Sequence, residues 1–266
     1  MEGICYLNII PNEIRKYIIS LTKNRVFDLC LINKYFNANC KIIRFTSLDL
    51  SSDKMVTDEI LKELINLTSL NLTGNNVITD EGIKGLIDLT FLNLSGNNVI
   101  TDQGIKGLIN ITALDLYCNN KITNYGLEKL NKITSLDLID CDKITNEGIS
   151  MLSNLNSLNL CQNYRITDDG IKGLINLTVL NLHNNNKITN HGITRLINLK
   201  SVSLCNNIKI TDEGIKGLIN LIVLNLDQNY IITDTGIKEL KNLNYLSLRC
   251  NFIITEHNRS NINYSF

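Results

Sequence analysis

Two columns of residues recur along this chain with a fixed step of 22 residues and no insertion, over ten successive units. The first column is Leu48, Leu70, Leu92, Leu114, Leu136, Leu158, Leu180, Val202, Leu224 and Leu246. The second column is Thr57, Thr79, Thr101, Thr123, Thr145, Thr167, Thr189, Thr211, Thr233 and Thr255. A fixed period of about 20 to 50 residues is typical of a solenoid, in which each unit packs against its neighbours. The pattern therefore predicts stacked repeats, whatever number of domains the length alone would suggest.

Each repeat combines a strand signal with a helix signal. Residues 67–75 read LTSLNLTGN, and this alternation predicts a short strand, because side chains two residues apart share one face. Thr79 and Asp80 are typical of a helix start. The lysine column that includes Lys84 follows Asp80 by four residues, which favours a solvated helical face paired with acids. One repeat buries too little to fold alone, so stability depends on stacking.

The repeat resembles a known family. Residues 67–75 match the leucine-rich-repeat pattern L-x-x-L-x-L-x-x-N/C, and residues 78–83, ITDEGI, resemble the cysteine-containing repeats of F-box/leucine-rich-repeat proteins. Cys141 even replaces the asparagine of this pattern in one unit. The resemblance implies an α/β solenoid of about ten repeats, with parallel strands on the concave side and short helices on the convex side. It also implies that the asparagine column forms a hydrogen-bonded ladder.

The first 44 residues lack the repeat. Residues 10–21, IPNEIRKYIISL, and residues 26–36, VFDLCLINKYF, have the spacing of two amphipathic helices. Together they resemble an F-box, although Ile10 replaces the usual leucine and one residue is missing between the helices. F-boxes bind the Skp-family adaptor of cullin-RING ubiquitin ligases. The resemblance implies adaptor contacts at Pro11, Ile14, Ile18, Leu31, Ile32 and Phe36.

These features divide the chain into an F-box-like helical segment (1–44), a leucine-rich-repeat solenoid (45–258) and a C-terminal tail (259–266). The resemblance implies the substrate-recognition subunit of an SCF-type ubiquitin ligase, with the concave face binding the target protein. The alternative is an interaction scaffold or viral decoy, unconnected with ubiquitin, whose N-terminal helices only cap the solenoid.

Composition bears on the partners and the compartment. Lys+Arg and Asp+Glu both number 26, and this balance argues against a nucleic-acid surface. We expect no membrane span and no signal peptide, and hence a cytoplasmic protein whose eight cysteines are free thiols. We also expect the protein to be a monomer. The abundance of Asn, Ile and Lys is typical of AT-rich genomes, such as those of giant viruses and some protists. A viral protein would act in the host cytoplasm.

The sequence indicates no enzyme, cofactor or metal site. The glycines recur at helix positions and form no phosphate-binding loop. Cys161, His183 and Cys205 occupy one column of three successive repeats. Because neighbouring strands lie ~4.8 Å apart, the two sulfurs would be almost 10 Å apart, too far for one zinc ion.

Binding residues are expected on the outward columns of the strands. The column that includes Asp49 and Asn71 is uniformly polar, and we interpret it as a solubilising surface. The column two residues later is diverse, from Ser51 to Arg249, either because it binds a partner or because exposed positions drift. We expect the target on repeats 4–10, residues 114–251. The named contacts are Tyr117, His183, Asp227, Tyr245 and Arg249.

Overall fold

The computed structural model describes residues 46–54, 56–62 and 64–255, together with the backbone of residues 263–265. The six predicted adaptor contacts, from Pro11 to Phe36, lie outside the described residues, as does the F-box-like segment as a whole. The described part begins at the edge of the first repeat.

Eleven strands of three residues form one parallel sheet in chain order. The strands are β1 (Ser47–Asp49), β2 (Ser69–Asn71), β3 (Phe91–Asn93), β4 (Ala113–Asp115), β5 (Ser135–Asp137), β6 (Ser157–Asn159), β7 (Val179–Asn181), β8 (Ser201–Ser203), β9 (Val223–Asn225), β10 (Tyr245–Ser247) and β11 (Asn263–Ser265). Leu48 pairs with Leu70, and Leu70 pairs with Leu92, so the register advances by one repeat per strand. The 22-residue leucine column is therefore the central row of the sheet.

One-turn helices lie between successive strands up to β10. Within the described residues they are α1 (Asp58–Leu61), α2 (Asp80–Ile83), α3 (Asp102–Ile105), α4 (Asn124–Leu127), α5 (Asn146–Ile149), α6 (Asp168–Ile171), α7 (Asn190–Ile193), α8 (Asp212–Ile215) and α9 (Asp234–Ile237). A threonine of the 22-residue threonine column precedes each helix as its N-cap. In α2, the Thr79 side chain accepts a hydrogen bond from the N–H of Glu81, as expected for a helix start.

The core is a continuous column of aliphatic side chains between the sheet and the helices. In the second repeat, the apolar positions of the pattern are all fully buried: Leu67, Leu70, Leu72, Ile78, Ile83 and Leu86. The same positions are buried in the following repeats, and they form one hydrophobic cluster along the described chain. This arrangement confirms the predicted solenoid, because each repeat completes its core against its neighbours.

The asparagine column forms the expected ladder. The Nδ2 atom of Asn185 donates to the carbonyls of Leu160 (3.0 Å) and Asn163 (2.8 Å) in the preceding repeat. Its Oδ1 atom accepts the N–H groups of Lys187 and Ile188, both at 3.0 Å. One buried amide thus satisfies four backbone groups of a buried turn and joins two repeats.

Cys141 takes the place of asparagine in the fifth repeat. Its Sγ donates to the carbonyl of Leu116 at 2.8 Å, which is the equivalent carbonyl of the preceding repeat. Burial of the thiol raises the pKa of Cys141 to about 12, so the thiol stays protonated and able to donate. This cysteine is a structural residue of the ladder.

A second inter-repeat ladder was missed in the sequence. Asp80 does not pair with Lys84; its Oδ1 accepts the N–H of Thr101 at 2.7 Å, and its Oδ2 accepts the Thr101 hydroxyl at 2.6 Å. Three lysines of this column instead pair with an acid three residues earlier: Lys84 with Glu81, Lys172 with Asp169 and Lys216 with Glu213. A Cβ atom at Gly104 would lie 2.5 Å from the Asp80 Oδ1, so glycine is required where the aspartate approaches. The Asp or Asn that begins each described helix, from α1 to α9, thus accepts the N–H of the threonine in the next repeat.

Both ends of the sheet depart from the repeat. In the first repeat, Asp53 occupies the asparagine column, and its carboxylate accepts the N–H of Val56 at 3.0 Å. At the other end, β11 lies within residues 259–266, which the sequence analysis assigns to a tail. Tyr264 pairs with Leu246, a step shorter than 22 residues, so the period could not reveal this strand.

Candidate protein-binding face

The outward side of the parallel sheet, here called the sheet face, is a continuous surface built from the first and third positions of each strand. The middle residue of each strand, such as Leu114, points into the core, so its two neighbours point outward. Ten of the strands, β1 to β10, follow the repeat period. At ~4.8 Å per strand they give a face of roughly 43 Å, which is long enough for a standard protein interface.

The third strand position is structural as well as polar. The Oδ1 of Asp115 accepts the N–H of Tyr117 at 3.0 Å, and the Oδ1 of Asn181 accepts the N–H of His183 at 3.0 Å. This turn recurs in most described repeats, and these side chains are half-buried from β2 to β7. The interpretation of this column as a solubilising surface is therefore incomplete, because its side-chain oxygens hold the chain as it leaves the strand.

The diverse column is less uniformly exposed than its sequence suggests. Tyr117 is 48% exposed, Arg249 is exposed and His183 is half-buried. Ser95 and Cys205 of the same column are buried, so the expectation of an exposed position is wrong for these two.

Asp227 has a structural role that the sequence analysis did not foresee. Its Oδ1 accepts the Ser247 hydroxyl at 2.6 Å and the N–H of Arg249 at 2.7 Å. Ser247 has no side-chain carbonyl to make the usual turn, and Asp227 of the preceding repeat takes that role. Tyr245, in the first strand position, is exposed. Contact of the five named residues with a partner stays a prediction.

The sheet face contains an open cavity of about 390 Å³ across β3 to β7, which we call the trough. Its floor is made of small side chains at the first strand position, namely Ala113, Ser135 and Ser157. Phe91 and Val179 occupy the same column at its two ends. A run of small residues between two larger ones thus opens the cavity, whose volume is that of a typical ligand pocket.

Two carboxylates line the trough on adjacent strands, Asp115 on β4 and Asp137 on β5. Burial raises the pKa of Asp137, and the charge of Asp115 raises it further. Hydrogen bonds from the N–H of Ile139 (3.0 Å) and the Nδ2 of Asn159 (2.8 Å) lower the pKa of Asp137 and partly offset this rise. The trough is therefore an acidic concavity between apolar walls.

Comparison with known proteins identifies the repeat. Residues 63–87, 87–109, 107–130 and 129–153 match the family model described as "Leucine Rich repeat". The protein has the leucine-rich-repeat fold. No curated protein matches the chain.

Several solved leucine-rich-repeat structures are similar to this chain. An internalin (inlF) from Listeria monocytogenes has 21% identity and a TM-score of 0.58, covering 85% of this chain and 82% of that one. The TLR13–ssRNA13 complex has 25% identity and a TM-score of 0.64, covering 84% and 36%. The Rad7–Elc1 complex from yeast has 18% identity and a TM-score of 0.53, covering 82% and 73%.

The described part of the leucine-rich-repeat solenoid offers no set of three or more His, Cys, Asp or Glu side chains placed to hold a metal ion. Burial raises the pKa of the Cys161 and Cys205 thiols, which disfavours the thiolate that a metal or a nucleophilic reaction needs. Among the same residues, no helix is long and apolar enough to cross a membrane.

Proposed function

We propose that this leucine-rich-repeat solenoid is a binding module for another protein, and that the partner occupies the sheet face. The observation that carries the proposal is the trough, an open cavity on a surface held rigidly by two inter-repeat ladders. The cavity is already open without a partner, and a preformed site lowers the free-energy cost of binding.

The chemistry of the trough favours a polypeptide over a nucleic acid. Asp115 and Asp137 would repel phosphates, whereas nucleic-acid binding requires cations that neutralise them. Among the similar structures, Rad7 forms a complex with the protein Elc1, while TLR13 is in complex with ssRNA. For this chain, the acidic trough favours a protein partner over RNA.

The proposed role is that of a substrate receptor, in which residues 1–44 bind a Skp-family adaptor and the sheet face recruits the protein to be ubiquitinated. The support is the F-box-like sequence of residues 10–36 ahead of the repeats. The alternative remains a scaffold or decoy whose N-terminal segment only caps the first repeat.

Site-specific photo-crosslinking tests the binding module. A photoreactive residue replaces Ser157 on the sheet face of the full chain, and a matched variant carries it at Met151, which is exposed outside the sheet. We expect a discrete protein adduct from position 157 in extracts of the source cell and none from position 151. Adducts from position 151 alone, or RNA as the adduct at 157, would contradict the proposal.

The adaptor is tested separately by co-precipitation of a purified Skp-family protein with the full chain. We expect the Ile14→Asp and Leu31→Asp variants to lose the adaptor while they keep the adduct at position 157. If the unmodified chain fails to bind the adaptor, the receptor role is wrong and the scaffold remains.

A further inference from the structure

The negative charge of the trough exceeds what the fold requires. Asp115 and Asp137 hold the N–H two residues later, but Asn159 and Asn181 make the same hydrogen bond in the next two repeats. An amide therefore serves this turn as well as a carboxylate does. The two carboxylates add charge at a half-buried position, where charge is unfavourable unless an opposite charge meets it.

No cation of the sheet face balances these charges. From β2 to β7, the first and third strand positions and the column two residues later hold no Lys or Arg. The side chains that donate hydrogen bonds to the two carboxylates are neutral: Asp115 accepts from Ser95 (2.7 Å) and Asn93 (3.1 Å), and Asp137 accepts from Asn159 (2.8 Å). The other titratable side chains in these columns from β2 to β7 are Tyr117, Cys161 and His183, and His183 is the one basic residue among them.

We propose that the trough binds a lysine or arginine side chain of the partner polypeptide, with its charged end between Asp115 and Asp137. The small floor leaves room for the side chain, and its aliphatic stem packs along the apolar walls, as long cationic side chains commonly do. Arginine suits the site best, because its planar guanidinium can donate to both carboxylates. The proposal rests on the proposed function, whose partner it specifies.

A random peptide display library, selected against the full chain, tests this chemistry. The first arm uses Asp115→Asn/Asp137→Asn, which keeps the turn and removes the charge, with Asp49→Asn as the matched control. Asp49 holds the same turn in the first repeat but does not line the trough. We expect enriched peptides to carry a lysine or arginine next to apolar residues. The double variant should bind them at least about tenfold more weakly, and the control should bind them unchanged.

The second arm separates this proposal from the proposed function. Ser135→Trp fills the trough, and the fold tolerates large side chains in this column, since Phe91 and Tyr245 occupy it elsewhere. Suppose that the selected peptides fail to bind Ser135→Trp but carry no basic residue, or that they bind the double variant as tightly as the unmodified chain. Either result would overturn the basic-residue proposal and leave the binding module intact. Selected peptides that all bind Ser135→Trp unchanged would overturn both.

Discussion

Hydrogen bonds from single side chains stabilise the contacts between repeats as well as the turns within each repeat. The amide of Asn185 bonds four backbone groups, two in its own turn and two in the preceding repeat. The resemblance of the sequence to leucine-rich repeats predicts this ladder, since an amide can both donate to and accept from the backbone groups of a buried turn. The sequence does not predict the role of Asp227, since that role depends on Ser247 in the following repeat.

Asn185→Ala should lower the free energy of unfolding by about 3 kcal/mol or more, because buried backbone groups lose their partners. Cys141→Ala is the matched comparison in the same column, where the thiol makes fewer and weaker hydrogen bonds. Its expected cost is roughly 1 kcal/mol. Urea denaturation measures the free energy of unfolding of both variants. An equal loss for the two would show that the hydrogen bonds of the amide are not the main source of stability at this position.

Asp137 makes stability depend on pH with a definite sign. Its pKa in the folded chain is raised above the ordinary value of 3.8, first by burial, so its contribution to stability is lost as pH rises through the folded pKa. Asp137→Asn removes this loss. The unfolding free energy of the variant relative to the unmodified chain should therefore increase from about pH 3 to pH 7. Denaturation curves at several pH values that show a constant or falling difference would contradict the assignment.

At the scale of the repeat, the strand and helix could be predicted because both follow from the order of apolar residues. The Asp–Thr ladder could not, since a periodic sequence shows which residues recur but not whether each contacts its own repeat or the next. Asp80 and Lys84 have the spacing of a helical ion pair, yet Asp80 bonds Thr101 instead. A signal was present: a glycine that recurs in every one-turn helix from α2 to α9 indicates a close approach by another chain segment.

Gly104→Ala tests that approach. The new Cβ would lie 2.5 Å from the Asp80 Oδ1 and 3.2 Å from the Asp80 backbone, so the two repeats must separate slightly. We expect a loss of about 1–3 kcal/mol in the free energy of unfolding. Gly107→Ala in the same repeat meets only the Lys84 carbonyl at 4.0 Å and should change stability by less than about 0.5 kcal/mol. Similar losses from both variants in denaturant titrations would rule out the steric explanation.

For the whole molecule, the period predicts the solenoid but not the position of the trough on it. Large and charged residues in the outward columns favour residues 114–251 as the region that contacts a partner. The trough spans β3 to β7, because the small residues Ala113, Ser135 and Ser157 recede from the face. A cavity forms where the side chains of a column are small. Large or charged side chains, which predict contacts with a partner, therefore do not indicate its position.

We propose that a partner protein occupies the sheet face. Isothermal titration calorimetry tests this most directly, by measuring the affinity of the partner identified by crosslinking for the unmodified chain, for Ser135→Trp and for Met151→Trp. The two variants add the same side chain, one in the trough and one at an exposed position outside the sheet. We expect Ser135→Trp to weaken binding at least about tenfold and Met151→Trp to leave it unchanged. Unchanged affinity for Ser135→Trp, or an equal loss for both variants, would contradict it.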